Sequence, residues 1–110
     1  MIIKKSNKKI NLRRIKKVNF IGEVTGLMFS RREKAKILLF EFKKPVKMKI
    51  HSYFVFFPFL AIWLDKENNI LEIREVKPFK MSIGIKKDFS KLVEIPINKE
   101  NRKIVEISRR

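Results

Sequence analysis

The chain has 110 residues, 45% of them hydrophobic, and 28 Lys and Arg against 11 Asp and Glu, for a formal net charge of +17. That content excludes a disordered tail and sets the expectation of one domain with a real core, while the charge far exceeds the magnitude of about 2–8 that solubility asks of a small domain. The absence of cysteine excludes disulfides, thiolate metal sites and Cys nucleophiles, and one histidine with two aspartates leaves little material for catalysis.

Residues 1–17 hold eight basic residues and no acid: Lys4, Lys5, Lys8, Lys9, Arg13, Arg14, Lys16 and Lys17. Residues 1–9 are expected as a basic arm, mobile unless docked, and residues 10–110 as a single β-rich domain. Ile10 and Leu12 alternate with polar neighbours, which is a strand signal. Phe20, Ile21, Val24, Leu27 and Met28 then fall at helical spacings. With Asn19 as a candidate N-cap and Gly26 near the end, they predict a helix of about two turns.

From Ala35 the period is that of strands. Ile37-Leu38-Leu39-Phe40 reads as a strand covered on both faces, broken by Lys43-Lys44-Pro45. Val46, Met48 and Ile50 then alternate with Lys47, Lys49 and His51. Leu60–Leu64 and Ile70–Val76 flank the polar loop Asp65-Lys66-Glu67-Asn68-Asn69 and predict a hairpin, with Trp63 buried. Asp88-Phe89-Ser90 reads as one helical turn. Leu92–Ile97 and Lys103–Ile107 predict a second hairpin around Asn98-Lys99-Glu100-Asn101, with Pro96 marking an edge strand. The expected fold is therefore mainly β: a compact antiparallel sandwich or small barrel with one short helix near the N-terminus. The connections are too short for a doubly wound parallel sheet.

Met1-Ile2-Ile3 runs directly into Lys4 and Lys5, without the apolar stretch of a signal peptide. The longest uncharged run, Ile50–Leu64, contains His51, Ser52 and Pro58 and falls short of the roughly 18 apolar residues of a membrane span. A cytoplasmic location is expected.

The chemistry on offer is narrow. His51 is the one candidate general base with a near-neutral reference pKa, and strand parity sets it beside Lys47, Lys49 and Tyr53. A catalytic histidine needs an orienting carboxylate; Asp65 could reach it only through folding, so a surface or hydrogen-bonded histidine is the expectation. No ligand spacing points to a metal, no glycine-rich loop points to a nucleotide, and no cofactor is expected. The run Tyr53-Phe54-Val55-Phe56-Phe57-Pro58-Phe59 could be a stacking platform for single-stranded nucleic acid, but it contains no charge and is expected as core. The eight basic residues of 1–17 suit a polyanion such as RNA, DNA or an anionic membrane, bound without sequence preference. With 20 Lys, 16 Ile and no Gln, compositional background is the competing explanation of the charge.

Several segments in order resemble one family, known as domain of unknown function 192 or uncharacterised protein family 0127, and especially its archaeal branch. They are Gly26-Leu27-Met28-Phe29, Leu38-Leu39-Phe40, Ile50-His51 leading into Phe54-Val55 and Phe57-Pro58, Ile62-Trp63-Leu64-Asp65, Val76-Lys77-Pro78-Phe79 and Val93-Glu94-Ile95-Pro96. The resemblance implies a compact β-rich domain and no established activity. It also marks Arg31, His51, Tyr53 and Asp65 as pocket candidates. The chain departs from the family pattern at Ser30, Ser52 and Leu60, where relatives usually carry Arg, Met and an acid; Arg31 could stand in for the missing Arg. Together these features predict a small basic, non-enzymatic domain that contacts a polyanion, RNA foremost. The alternative is a small-molecule-binding or enzymatic barrel with a pocket near His51 and Asp65.

Overall fold

Strand alternation divides the apolar residues into two sets, and the fold buries each against a different face of one sheet. The computed structural model describes residues 1–18, 31–50, 55–80 and 82–109. Strands β1 (Ile2–Lys5) and β2 (Lys8–Asn11) form an antiparallel hairpin with Ile3 opposite Ile10 and Lys4 opposite Lys9. Strands β3 (Ile15–Val18), β4 (Ile37–Val46), β5 (Phe59–Leu64), β6 (Ile70–Val76) and β7 (Phe89–Pro96) form an open sheet in the order β3-β4-β7-β5-β6. Among the described strands of this sheet, β3 and β4 pair in parallel and the other neighbours are antiparallel. A 3-10 turn covers Arg32–Lys34, and helix α1 covers Arg102–Arg109.

Every residue of β5 is buried, as an uncharged central strand demands. One face of the sheet presents Leu38, Phe40, Phe59, Ala61, Trp63 and Leu92, covered by Val55, Phe57 and partly buried Met48, Ile50, Ile83 and Ile85. The other presents Ile37, Leu60, Ile62, Leu64, Val93 and Ile95, covered by Ile3, Ile10 and Leu12 of the first hairpin region and by Val105 of α1. Each fully buried Leu, Ile or Phe contributes roughly 1.5–3 kcal/mol. Trp63 is fully buried with the Arg74 guanidinium 5.8 Å from its ring centroid, and its Nε1 has no hydrogen-bond partner among the described residues.

The mainly β expectation holds, and so does the hairpin about residues 65–69, which joins β5 to β6. Other expectations give way. The sheet is open, so it is not a barrel. Its described helix lies at the C-terminal end of the domain; the helix expected over Phe20–Met28 lies outside the described residues. Lys103–Ile107 is helical because Ile104, Val105 and Ser108 then share one face: Val105 and Ser108 are buried and Ile104 packs at the same core. Residues 1–9, expected as an arm, include β1 and half of β2, because Ile3 is buried beneath the lysines. Lys43-Lys44-Pro45 does not end β4 but falls in a register irregularity between Glu41 and Val46. Phe89 and Ser90 begin β7 rather than a helical turn. β7 is central, not an edge; Pro96 is tolerated as its last residue, past the end of its pairing with β4.

Candidate functional site

At one end of the sheet, β3, β4 and β5 begin and β6 and β7 finish. An open cleft of about 1010 Å³ lies at the β3–β4 side of this end. Its cations come from three places: Arg13, Arg14 and Lys16 from the corner before β3 and its start, Lys34 and Lys36 from the approach to β4, and Lys103 from α1. Arg14 holds a left-handed backbone with φ 57, which turns the chain from β2 into β3. That conformation is uncommon for a residue with a long side chain.

The wall of the cleft is fixed by amides. Asn98 Nδ2 donates to Arg32 O at 2.8 Å and to Ala35 O at 3.2 Å, while its Oδ1 accepts from Asn101 N at 3.0 Å. Asn101 Nδ2 donates to Pro96 O at 3.0 Å, and its carbonyl accepts from Val105 N in the first turn of α1. Arg32 Nε donates to Ile97 O at 2.7 Å, and Lys99 N donates to Glu33 Oε1 at 3.0 Å. Asn98 and Asn101 are buried, so each unmade bond would be costly. This web clamps residues 32–35 to residues 96–101, which fixes the backbone on either side of the cleft that carries Lys34 and Glu100.

The carboxylate in the cleft lining is Glu100, and Arg14 Nη1 already holds it at 2.6 Å. Both side chains are largely exposed, so the pair stabilises by at most about 1 kcal/mol. Six cations around one engaged carboxylate leave a strong positive field in a concave surface.

The other expected site residues go elsewhere. Lys4, Lys5 and Lys9 are exposed on the β1–β2 hairpin, and Lys8 Nζ donates to Ile107 O near the end of α1. Lys17 pairs with Glu41 at 2.7 Å. Arg31 is exposed just before the 3-10 turn, outside the cleft lining. His51 and Tyr53 lie outside the described residues.

Asp65 sits at the opposite end of the sheet and organises the β5–β6 turn. Its Oδ1 accepts from Glu67 N and Asn69 N, both at 2.9 Å, and its Oδ2 accepts from Asn69 Nδ2 at 3.0 Å. Burial alone would raise its pKa, but those three hydrogen bonds and the charge of Lys4 outweigh it and hold the carboxyl below its ordinary value. Asn68 extends the turn to the hairpin, donating to Ile2 O and accepting from Lys4 N through its carbonyl. Ile50, next to His51, instead packs on the sheet face away from that hairpin and bridges Ile83.

Lys34, Lys36, Lys103, Asn98 and Asn101 were not singled out by their spacing. The Arg31–Lys36 segment, with four basic residues and one acid, carried the available signal. The aromatic run is divided by the fold: Val55, Phe57 and Phe59 are buried, while Phe56 is 59% exposed. Phe56 meets Phe79, itself 52% exposed, edge to face at 5.5 Å between centroids.

Among the described residues, no group of three or more His, Cys, Asp or Glu could hold a metal ion, and no helix is long and apolar enough to cross a membrane. No curated protein matches the chain in sequence. Two solved structures are similar in fold. A protein of unknown function from Novosphingobium aromaticivorans matches with a TM-score of 0.70 at 13% identity, over 88% of this chain and 69% of that one. A protein described as a putative transcription regulator from Sinorhizobium meliloti matches with a TM-score of 0.75 at 18% identity, over 96% of this chain and 82% of that one. The model of the DUF192 family, described as uncharacterized ACR, matches residues 3–109, nearly the whole chain, and the protein belongs to that family.

Proposed function

We propose that this protein is a non-enzymatic binding domain that contacts a polyanion, RNA foremost, through the basic cleft. The observation that carries the proposal is the set of six cations around Glu100, a carboxylate already engaged by Arg14. A phosphate chain entering such a cleft releases its condensed counterions, which supplies affinity without base recognition. The contacts available are Arg, Lys and amide groups, suited to phosphate oxygens and not to one sequence. A cytoplasmic location accompanies this partner, and the motif pattern favours the archaeal branch of the family.

Two variants of equal net charge test the proposal against compositional background. The first replaces Arg13, Lys34 and Lys103 with Glu in the cleft. The second replaces Lys43, Lys66 and Lys87 with Glu, all exposed and toward the other end of the sheet. Fluorescence anisotropy with a labelled RNA oligonucleotide at low salt should show binding lost in the first and largely kept in the second. Equal losses would return the charge to background, and no binding by the intact protein would reject the polyanion.

A further inference from the structure

The exposed ring pair lies at the same end of the sheet as the cleft. Phe59 of β5 pairs with both Val76 and Pro96. Phe56 therefore precedes the start of β5 by three residues, and Phe79 follows the end of β6 by three. The cleft lies where β3 and β4 begin, with Ile15 opposite Ile37. The order β3-β4-β7-β5-β6 puts four strand spacings between these two edges, about 19 Å along the sheet at 4.8 Å per spacing; Ile15, Ile37 and Ile104 of the cleft belong to the face that α1 covers, and Val55 and Phe57 beside Phe56 cover the other. The ground between them is held together: Arg32 Nε donates to Ile97 O, and Ile97 N donates to Pro58 O.

Backbone strain marks the same two places. Among the described residues, four that are not glycine have positive φ. Ser6 and Asn68 lie in hairpin turns, where small polar residues take this conformation readily. Arg14, in the cleft, and Phe79, in the ring pair, have φ 57 and 62 and carry large side chains, for which the conformation is costly. Lys77 and Lys80 flank Phe79 in sequence and are exposed.

We infer that the polyanion is single-stranded nucleic acid, its phosphates held in the cleft and its bases stacked on Phe56 and Phe79; this rests on the polyanion reading above. Aromatic faces take any unpaired base, because every base has a π-face, so the rings add affinity without adding sequence preference. A duplex keeps its bases inside its own stack and offers the rings nothing. A planar anionic bilayer could meet two rings but could not enter a concave cleft some 19 Å away. A single strand can pass round the end of the sheet to reach both, and the lateral distance alone takes about six nucleotides at a stacked spacing of 3.4 Å.

The test uses oligouridylates of increasing length, an RNA duplex, and vesicles containing anionic lipid, with the intact protein and the variants Phe56→Ser and Phe79→Asn. Asn tolerates the left-handed backbone, and Phe56→Ser alters an exposed position, so thermal unfolding should change little. Single-strand affinity should rise with length past the roughly six nucleotides that span the gap and level off once one strand also fills the cleft. Each variant should weaken it about 5- to 150-fold, leaving the salt dependence and the duplex affinity unchanged; Phe56→Tyr should retain binding. Salt-dependent binding unaffected by either ring variant would overturn this inference and leave the polyanion reading standing. Ring-dependent binding to vesicles but not to RNA would overturn it in favour of a membrane. No binding to any of the three would reject both.

Discussion

The two ends of the sheet both carry polar groups, and they use them in opposite ways. At the β5–β6 turn, Asp65 accepts three hydrogen bonds within five residues, and Lys91 Nζ donates to Asn68 Oδ1 at 2.6 Å. Charge there is spent on shape. At the cleft end the shape is fixed by neutral amides, chiefly those of Asn98 and Asn101, while six cations and one carboxylate line the same concave surface. A cluster that satisfies itself is structure; under the polyanion proposal, the cluster with unbalanced charge is the one that meets a partner.

The comparison can be broken first at the sheet that joins both ends. Trp63→Ala should cost roughly 3–5 kcal/mol and lower the thermal midpoint, with the intact protein showing the blue-shifted emission of a buried indole. Asn98→Ala, behind the cleft, should cost about 1–3 kcal/mol, because two carbonyls and one amide lose their partner. It should also weaken polyanion binding, which separates the wall from a merely stabilising loop.

At the other end, Asp65→Asn should cost roughly 1 kcal/mol and leave polyanion binding untouched. Its pKa is depressed in the fold, so its stabilisation is complete above the unfolded value and is lost as the pH falls through the lower folded value. Denaturation from neutral pH into the acid range should show the intact protein losing part of its margin below about pH 4, a component that the Asn variant lacks. The smallest change is Glu100→Gln. Unfolding should shift by no more than about 0.5 kcal/mol, while polyanion affinity rises about two- to fivefold as the acid leaves the cleft.

The sequence made the sheet centre readable and the periphery less so. Leu60–Leu64 is an uncharged run ending at a polar, turn-forming pentapeptide, and both signals agree on a hairpin. In β1 and β2, by contrast, six of eight residues are polar or exposed, and the pairing of Ile3 with Ile10 shows only once the underlying sheet face exists. Ile104, Val105 and Ile107 are β-branched and alternate with polar residues closely enough to read as a strand; burial of Val105 and Ser108 on one helical face overrode that propensity. The cleft was legible in part. Its N-terminal cations stand in an acid-free run, but Lys34, Lys36 and Lys103 join them only through tertiary placement, and the left-handed corner at Arg14 has no glycine to announce it.

The central claim is that the cleft cations neutralise phosphates, and the salt dependence of binding tests it most directly. Titration of a labelled single-stranded RNA across a salt series should give a log–log slope of about −4.2 for six contacts, or a loss of roughly 300-fold between 50 and 200 mM salt. Replacing Arg13, Lys34 and Lys103 together should reduce the slope by about 2.1, and replacing Lys43, Lys66 and Lys87 should leave it unchanged. A slope near zero for the intact protein, or the same reduction from both sets of replacements, would contradict the account.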